Sequence, residues 1–142
     1  MKIAIINGPN LNLLGQREPG IYGQQSFDDY ILQLRADFPG TEITYFQSNI
    51  EGELVTALQE ASKTCQGIVL NPAAYTHTSV AIGDAVAAIQ IPVVEVHISN
   101  VQAREEFRKL SYVSAKAAGT ITGLGLKGYE LAIRWLLTNK HL

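Results

Sequence analysis

Short apolar runs alternate with helix-spaced apolar positions along the whole chain. Residues 2–6 make a β-rich run closed by Asn7, Gly8 and Pro9, the pattern of a buried strand. A long loop over 7–25 follows, with four glycines and two prolines. Ser26 predicts an N-cap, with Asp28 and Asp29 favourable in the first turn. Phe27, Tyr30, Ile31, Leu34 and Phe38 then recur at helical spacing until Pro39 and Gly40 stop the helix. Residues 41–46 alternate as a second strand. Ser48 or Asn49 predicts the cap of a second helix, with Leu54, Val55, Leu58 and Ala61 on one face. A third strand at 67–70 ends at Asn71 and Pro72, and a third helix covers 78–89. A β-branched fourth strand covers 91–96, a polar helical turn 102–109, a short fifth strand 120–122 and a last helix 129–137.

Strands that alternate with helical sequence build a parallel sheet with helices on both faces. At 142 residues the chain suits one domain, 1–142. The expected architecture is α/β: a flavodoxin-like three-layer sandwich whose five-stranded parallel sheet has the order 2-1-3-4-5. Hydrophobic residues at 46% and charged residues at 17% fit a packed core and exclude a disordered chain. A net charge of −2 offers no field to attract nucleic acid. Cys65 is the single cysteine, so no internal disulfide forms and a reducing compartment fits. The apolar run at 3–6 is too short for a signal peptide, and no run is long enough for a membrane span. A soluble cytoplasmic protein is expected.

In open parallel sheets ligands sit beyond the carboxyl ends of the strands. Unusual polar residues gather there: Asn7, Asn10, Asn12, Arg17 and Tyr22 after strand one, Asn71, Tyr75, Thr76, His77, Thr78 and Ser79 after strand three, and His97, Ser99, Asn100, Arg104 and Arg108 after strand four. The 7–25 loop exceeds the length of an ordinary connection and carries Leu11, Leu13, Leu14 and Ile21, which suits a lid.

Most familiar chemistries do not fit. Residues 123–128 match GxGxxG, but a dinucleotide site needs a further strand ending in an acid about 20 residues on, and only 14 residues remain. Close packing of helix on sheet explains these glycines better. The histidines lack metal-site spacing, a GxSxG elbow is absent, and asparagines stand where a phospho-receiver needs acids. What remains is acid–base chemistry on a small anion. Ionising a tyrosine at neutral pH costs about 4 kcal/mol, which a nearby guanidinium can offset. Tyr22 with Arg17 is one such pair, with a packing tyrosine as the plain alternative. His97, directly after a buried strand, is an acid–base candidate or a structural histidine. The backbone N–H groups of Ile98 and Ser99 can hold a carboxylate.

Three segments, NGPNLNLLGQREPGIYG (7–23), NPAAYTHTSVAIGDA (71–85) and EVHISNVQAREEFRKLSYVS (95–114), closely resemble type II 3-dehydroquinate dehydratase. The likeness extends through SNIEGEL (48–54) and the 123–128 stretch over essentially the whole chain. The resemblance implies a flavodoxin-like subunit in a dodecamer built as a tetramer of trimers. It implies anti elimination of water from 3-dehydroquinate to 3-dehydroshikimate through an enolate, in the shikimate pathway, with no metal and no cofactor. The same chemistry also serves quinate breakdown. A non-catalytic module that only binds a small anion is the competing reading.

Carried over residue by residue, Tyr22 matches the base that takes the C2 proton, and Arg17 the loop arginine that favours tyrosinate. Asn10 matches the holder of a water on the enolate oxygen. His97 matches the acid that protonates the departing hydroxyl, with Glu95 tuning it. Asn71, His77 and Arg108 match substrate hydroxyl contacts, Ile98 and Ser99 the carboxylate site, Arg104 a support for the tyrosine's charge, and Asp84 an acid supplied across a subunit boundary. Ala73, Ile50, Gly83, Leu110 and Ala115 depart from the pattern associated with that family. A glycine at 83 inside a helix costs about 1 kcal/mol against alanine unless something packs closely on it.

Overall fold

The computed structural model describes residues 1–16 and 25–138. Five strands, β1 (Lys2–Asn7), β2 (Glu42–Gln47), β3 (Gly67–Asn71), β4 (Val93–His97) and β5 (Gly119–Thr122), lie parallel in the order β2-β1-β3-β4-β5. The order matches the expectation. Four helices connect and cover them: α1 (Phe27–Asp37), α2 (Glu51–Thr64), α3 (Val80–Ala88) and α4 (Lys127–Thr138). No helix among the described residues is long and apolar enough to cross a membrane.

The central strands have side chains buried on both faces, so each face carries its own core. On one face Ile3, Ile5, Val69, Val94 and Val96 meet Phe27, Tyr30, Ile31 and Leu34 of α1 and Tyr129, Ala132, Ile133 and Leu136 of α4. On the other, Ala4, Ile6, Ile68, Leu70 and Val93 meet Leu54 and Leu58 of α2 and Ile82, Ala85 and Val86 of α3. Period-2 alternation along β4 therefore points Glu95 and His97 to the α2–α3 side. Gly128, last of the GxGxxG glycines, has Val96 Cγ1 and Ile121 Cγ2 at 3.2 and 3.4 Å from where a Cβ would sit. Its role is close helix-on-sheet packing, as expected.

Ser26 caps α1 by accepting the Asp29 N–H at 3.2 Å. Most bounds shift by a residue or two from expectation, and four departures have a local reason. Helix α2 starts one residue beyond the forecast caps. Ser48 accepts the Ile50 N–H at 2.9 Å and bonds Glu53, so it braces the entry without being the cap residue. Helix α3 starts at Val80 because Ser79 accepts the Ile82 N–H at 2.9 Å, while Thr78 closes a preceding 3-10 turn, Ala73–His77. Strand β4 begins at Val93, after Pro92, which has no N–H to give to a ladder. The polar turn at 102–109 is two 3-10 turns, Val101–Ala103 and Glu106–Lys109, parted where Arg104 and Glu105 become extended.

Candidate active site

A cleft opens beyond the carboxyl ends of β1, β3 and β4, where a doubly wound sheet reverses its winding direction. Eight of the residues singled out from the sequence line it: Asn10, Asn71, His77, His97, Ile98, Ser99, Arg104 and Arg108. Glu95 lies one layer beneath His97 and is fully buried. Asp84 is exposed on α3 and does not line the cleft of its own chain. Arg17 and Tyr22 lie outside the described residues.

Each strand end delivers its group differently. After β1 the chain turns through Asn10, whose φ of 70° is tolerable for asparagine, and its N–H donates to Asn49 Oδ1 at 3.0 Å. Asn71 ends β3 and is held from two sides: its Nδ2 donates to the Tyr129 hydroxyl at 2.8 Å, and its Oδ1 accepts the Ala73 N–H at 3.0 Å. The Tyr129 hydroxyl donates onward to Asn7 Oδ1 at 2.9 Å. Ala73 has a φ of 53°, a left-handed backbone that glycine adopts freely and alanine does not. The departure noted at this position is thus a strained one.

The histidines stand face to face across the cleft, ring centroids 6.3 Å apart and planes 22° from parallel. His77 donates Nδ1–H to the Leu110 carbonyl at 2.7 Å. Burial pushes its pKa down, and the neighbouring His97 and Arg108 add to this against the Leu110 hydrogen bond. His97 donates Nε2–H to Glu95 Oε2 at 2.5 Å, which leaves Nδ1 as the ring nitrogen that Glu95 does not occupy.

The Glu95 carboxylate would be costly in an apolar layer without partners. Burial raises its pKa, but the hydrogen bond and charge of His97, with the hydroxyls of Ser114 and Thr76, outweigh burial and hold it below the ordinary carboxylate value. Thr76 Oγ1 donates to Oε2 and Ser114 Oγ to Oε1, each at 2.5 Å. At the other side of the cleft Arg104 donates to Ser99 Oγ at 3.3 Å, and Arg108 pairs with Glu105 and stacks 4.8 Å from the Phe107 ring centre. A cationic wall thus faces a histidine backed by an ionised carboxylate. Such an arrangement is chemically able to hold an anion and to pass a proton.

The class II dehydroquinase family model matches residues 1–137. The chain belongs to the class II dehydroquinase family. A 3-dehydroquinate dehydratase of Campylobacter hominis is 53% identical over 139 residues, covering 96% of this chain and 90% of that protein. One from Bacillus licheniformis is 53% identical over 141 residues, covering 98% and 97%. The crystal structure of a type II dehydroquinase from Butyrivibrio crossotus superposes with a TM-score of 0.93 at 47% identity, covering 96% of this chain and 97% of that one. The fold expected of a dehydroquinase is the fold observed.

Behind this dehydroquinase cleft, sequence reasoning places Asn7 and Thr76 at the ligand edge without a role, and misses Ser114 on Glu95 and Tyr129 between Asn7 and Asn71. One signal was available for the donors to Glu95. A glutamate in the middle of the apolar run at 91–96 demands donors, though the sequence does not say which.

Proposed function

We propose that this chain is a type II 3-dehydroquinate dehydratase, a hydro-lyase of the shikimate pathway, and that it removes water from 3-dehydroquinate by anti elimination through an enolate. The family supplies the reaction class. The observation that carries the mechanism is the His97–Glu95 pair at the cleft, an imidazole hydrogen-bonded at 2.5 Å to a buried carboxylate.

The proton on C2 is acidic because its electron pair can spread onto the ketone oxygen. Tyr22, as tyrosinate, takes that proton, and Arg17 lowers the cost of ionising the phenol. Arg104 supports the same charge. Burial makes three of the described tyrosines poor bases: it pushes Tyr30 up to about 12 and pushes Tyr45 and Tyr129 up as well. Asn10 holds a water that donates to the growing enolate oxygen. The enolate then collapses, the C–O bond to the departing hydroxyl breaks, and protonated His97 supplies the hydrogen that lets it leave as water. Glu95 stabilises the imidazolium before transfer. Asn71, His77 and Arg108 fix the ring hydroxyls, and the backbone N–H groups of Ile98 and Ser99 bind the carboxylate. Asp84, exposed on α3, reaches a neighbouring subunit's site in a dodecamer of four trimers. The compartment is the cytoplasm.

Purified protein mixed with 3-dehydroquinate is expected to generate an enone absorbing in the near ultraviolet, at a rate that chelator does not change. Tyr22→Phe is expected to lower kcat by about 10²–10⁴-fold with the circular dichroism unchanged. Binding without turnover by the wild-type protein sinks the reading, and a Tyr22→Phe variant that keeps most of its rate removes the assigned base.

A further inference from the structure

Five consecutive residues, 110–114, touch His77 directly and reach His97 through Glu95. The Leu110 carbonyl accepts the His77 Nδ1–H at 2.7 Å. Ser111 Oγ lies 2.6 Å from Thr76 Oγ1. The Tyr112 N–H donates to the Thr76 carbonyl at 2.8 Å. Val113 is fully buried in the α2–α3 core. Ser114 Oγ donates to Glu95 Oε1 at 2.5 Å. Ser111 Oγ also accepts the Val113 and Ser114 N–H groups, at 3.1 and 3.0 Å, so the serine side chain fixes the curvature that presents Ser114.

The strap has a seat. At Gly83 on α3 an added Cβ would overlap the Tyr112 carbonyl oxygen. The glycine that is expensive in a helix interior is thus the residue that lets the strap lie down on α3. Backbone lies on backbone here, so no flexible side chain can yield.

We propose that Ser114, together with Thr76, is a positioning residue that sets how tightly the Glu95–His97 pair holds its proton, and that Gly83 acts with it at one remove by seating the 110–114 strap. This rests on the reading of His97 as the acid of the elimination.

The sign follows from the donors. The short donors Thr76 and Ser114, with Ser111 Oγ at 3.5 Å from Oε2, spread the negative charge of Glu95, and taking one short donor away makes the carboxylate more basic and a stronger acceptor for His97. Both protonation steps of the pair then move to higher pH. The other groups facing the pair stay as they are: His77 from the 73–77 turn, and Arg104 and Arg108 from the cleft wall. Helix α3 turns Ile82 and Gly83 inward and leaves Asp84 exposed, and the strap's own Tyr112 is two-fifths exposed. The neighbouring strands present Leu70 and Thr120 beside Glu95.

The test is the pH dependence of 3-dehydroquinate turnover, with NMR titration of the histidine ring carbons in the substrate-free enzyme. Ser114→Ala is expected to lower kcat about tenfold with KM within about twofold, and to move both limbs of the rate profile and the His97 ring titration upward by about one pH unit, the scale of one hydrogen bond to a charged group. Ser114→Thr is expected to restore all three. Thr76→Val removes the donor to the other oxygen and is expected to give the same upward shift if Ser114→Ala does not fold. Gly83→Ala is expected to reproduce it together with a lowered melting temperature. A fall in rate or stability with limbs and ring titration in place overturns the proposal, because lost packing that leaves the Glu95 donors in place does not move a titration. A ring titration that shifts while the rate profile stands still keeps the positioning role and instead removes His97 as the acid.

Discussion

Glu95 and His97 point to the same side of β4 two residues apart, and their Oε2 and Nε2 atoms lie 2.5 Å from each other in a layer where Glu95 has no exposed surface. A carboxylate in that place is useful only as a charge. Glu95→Gln keeps the shape and removes the charge that stabilises an imidazolium. The expected outcome is a kcat lowered on the order of 10²-fold or more, with substrate affinity by calorimetry little altered. A variant with wild-type kcat shows that the charge is not used.

Stability is expected to fall on acidification in two stages. His77 has a pKa depressed by burial, so the folded state prefers it neutral while the unfolded chain takes up a proton near pH 6.5. The unfolded state then binds more protons, and stability drops as pH falls through that region. Glu95 is depressed as well, so its contribution is present above the ordinary carboxylate pKa and is lost as pH falls below it. Thermal unfolding followed from pH 8 to pH 3 is expected to show both stages, and His77→Gln is expected to remove the upper one. A flat profile above pH 5.5 in the wild type contradicts the first assignment.

Ala73→Gly is expected to stabilise the protein. A non-glycine residue in the left-handed region costs about 1–2 kcal/mol, and glycine gives back about 0.5–1 kcal/mol through the freedom of its unfolded chain. The net expectation is about 0.5–1 kcal/mol of added stability by these two terms, readable as a higher urea midpoint at constant slope. A lower midpoint shows that the Ala73 methyl, which packs against the α1–α4 core, is worth more than its backbone strain.

Tyr129→Phe deletes the one hydroxyl that joins Asn7 to Asn71 behind the cleft. Two buried amide groups lose a partner, and each orphaned group costs about 1–3 kcal/mol. A loss of about 2–4 kcal/mol in chemical unfolding is expected on that basis. Because Asn71 loses one of its two restraints, KM is expected to rise severalfold with kcat less affected. An unchanged KM at reduced stability limits the hydroxyl to a structural part.

Local pattern carried most of the architecture. Alternation of period 2 and 3.6, Ser26 ahead of two aspartates, and the stop at Pro39 and Gly40 are backbone chemistry acting within a few residues, and the structure reproduces them. Two of the boundaries that moved did so where one side chain chose its partner. Ser48 bonds Ile50 and Glu53, and Ser79 takes the Ile82 amide in the first turn of α3. A sequence offers several serines and threonines at such places, and geometry alone selects one.

The sequence determined the family, the strand order and eight groups that line the cleft, because those depend on residue type and on the rule that parallel strands deliver ligand sites at their carboxyl ends. Only the tertiary structure decided what stands behind them. Ser114 is 19 residues from Glu95, and Tyr129 is 122 residues from Asn7. Gly83 looks like a fault in a helix until the Tyr112 carbonyl is seen resting on it. Contacts of that span arise from closing the sheet and laying both helical layers upon it, and no periodicity along the chain encodes which distant hydroxyl or carbonyl arrives.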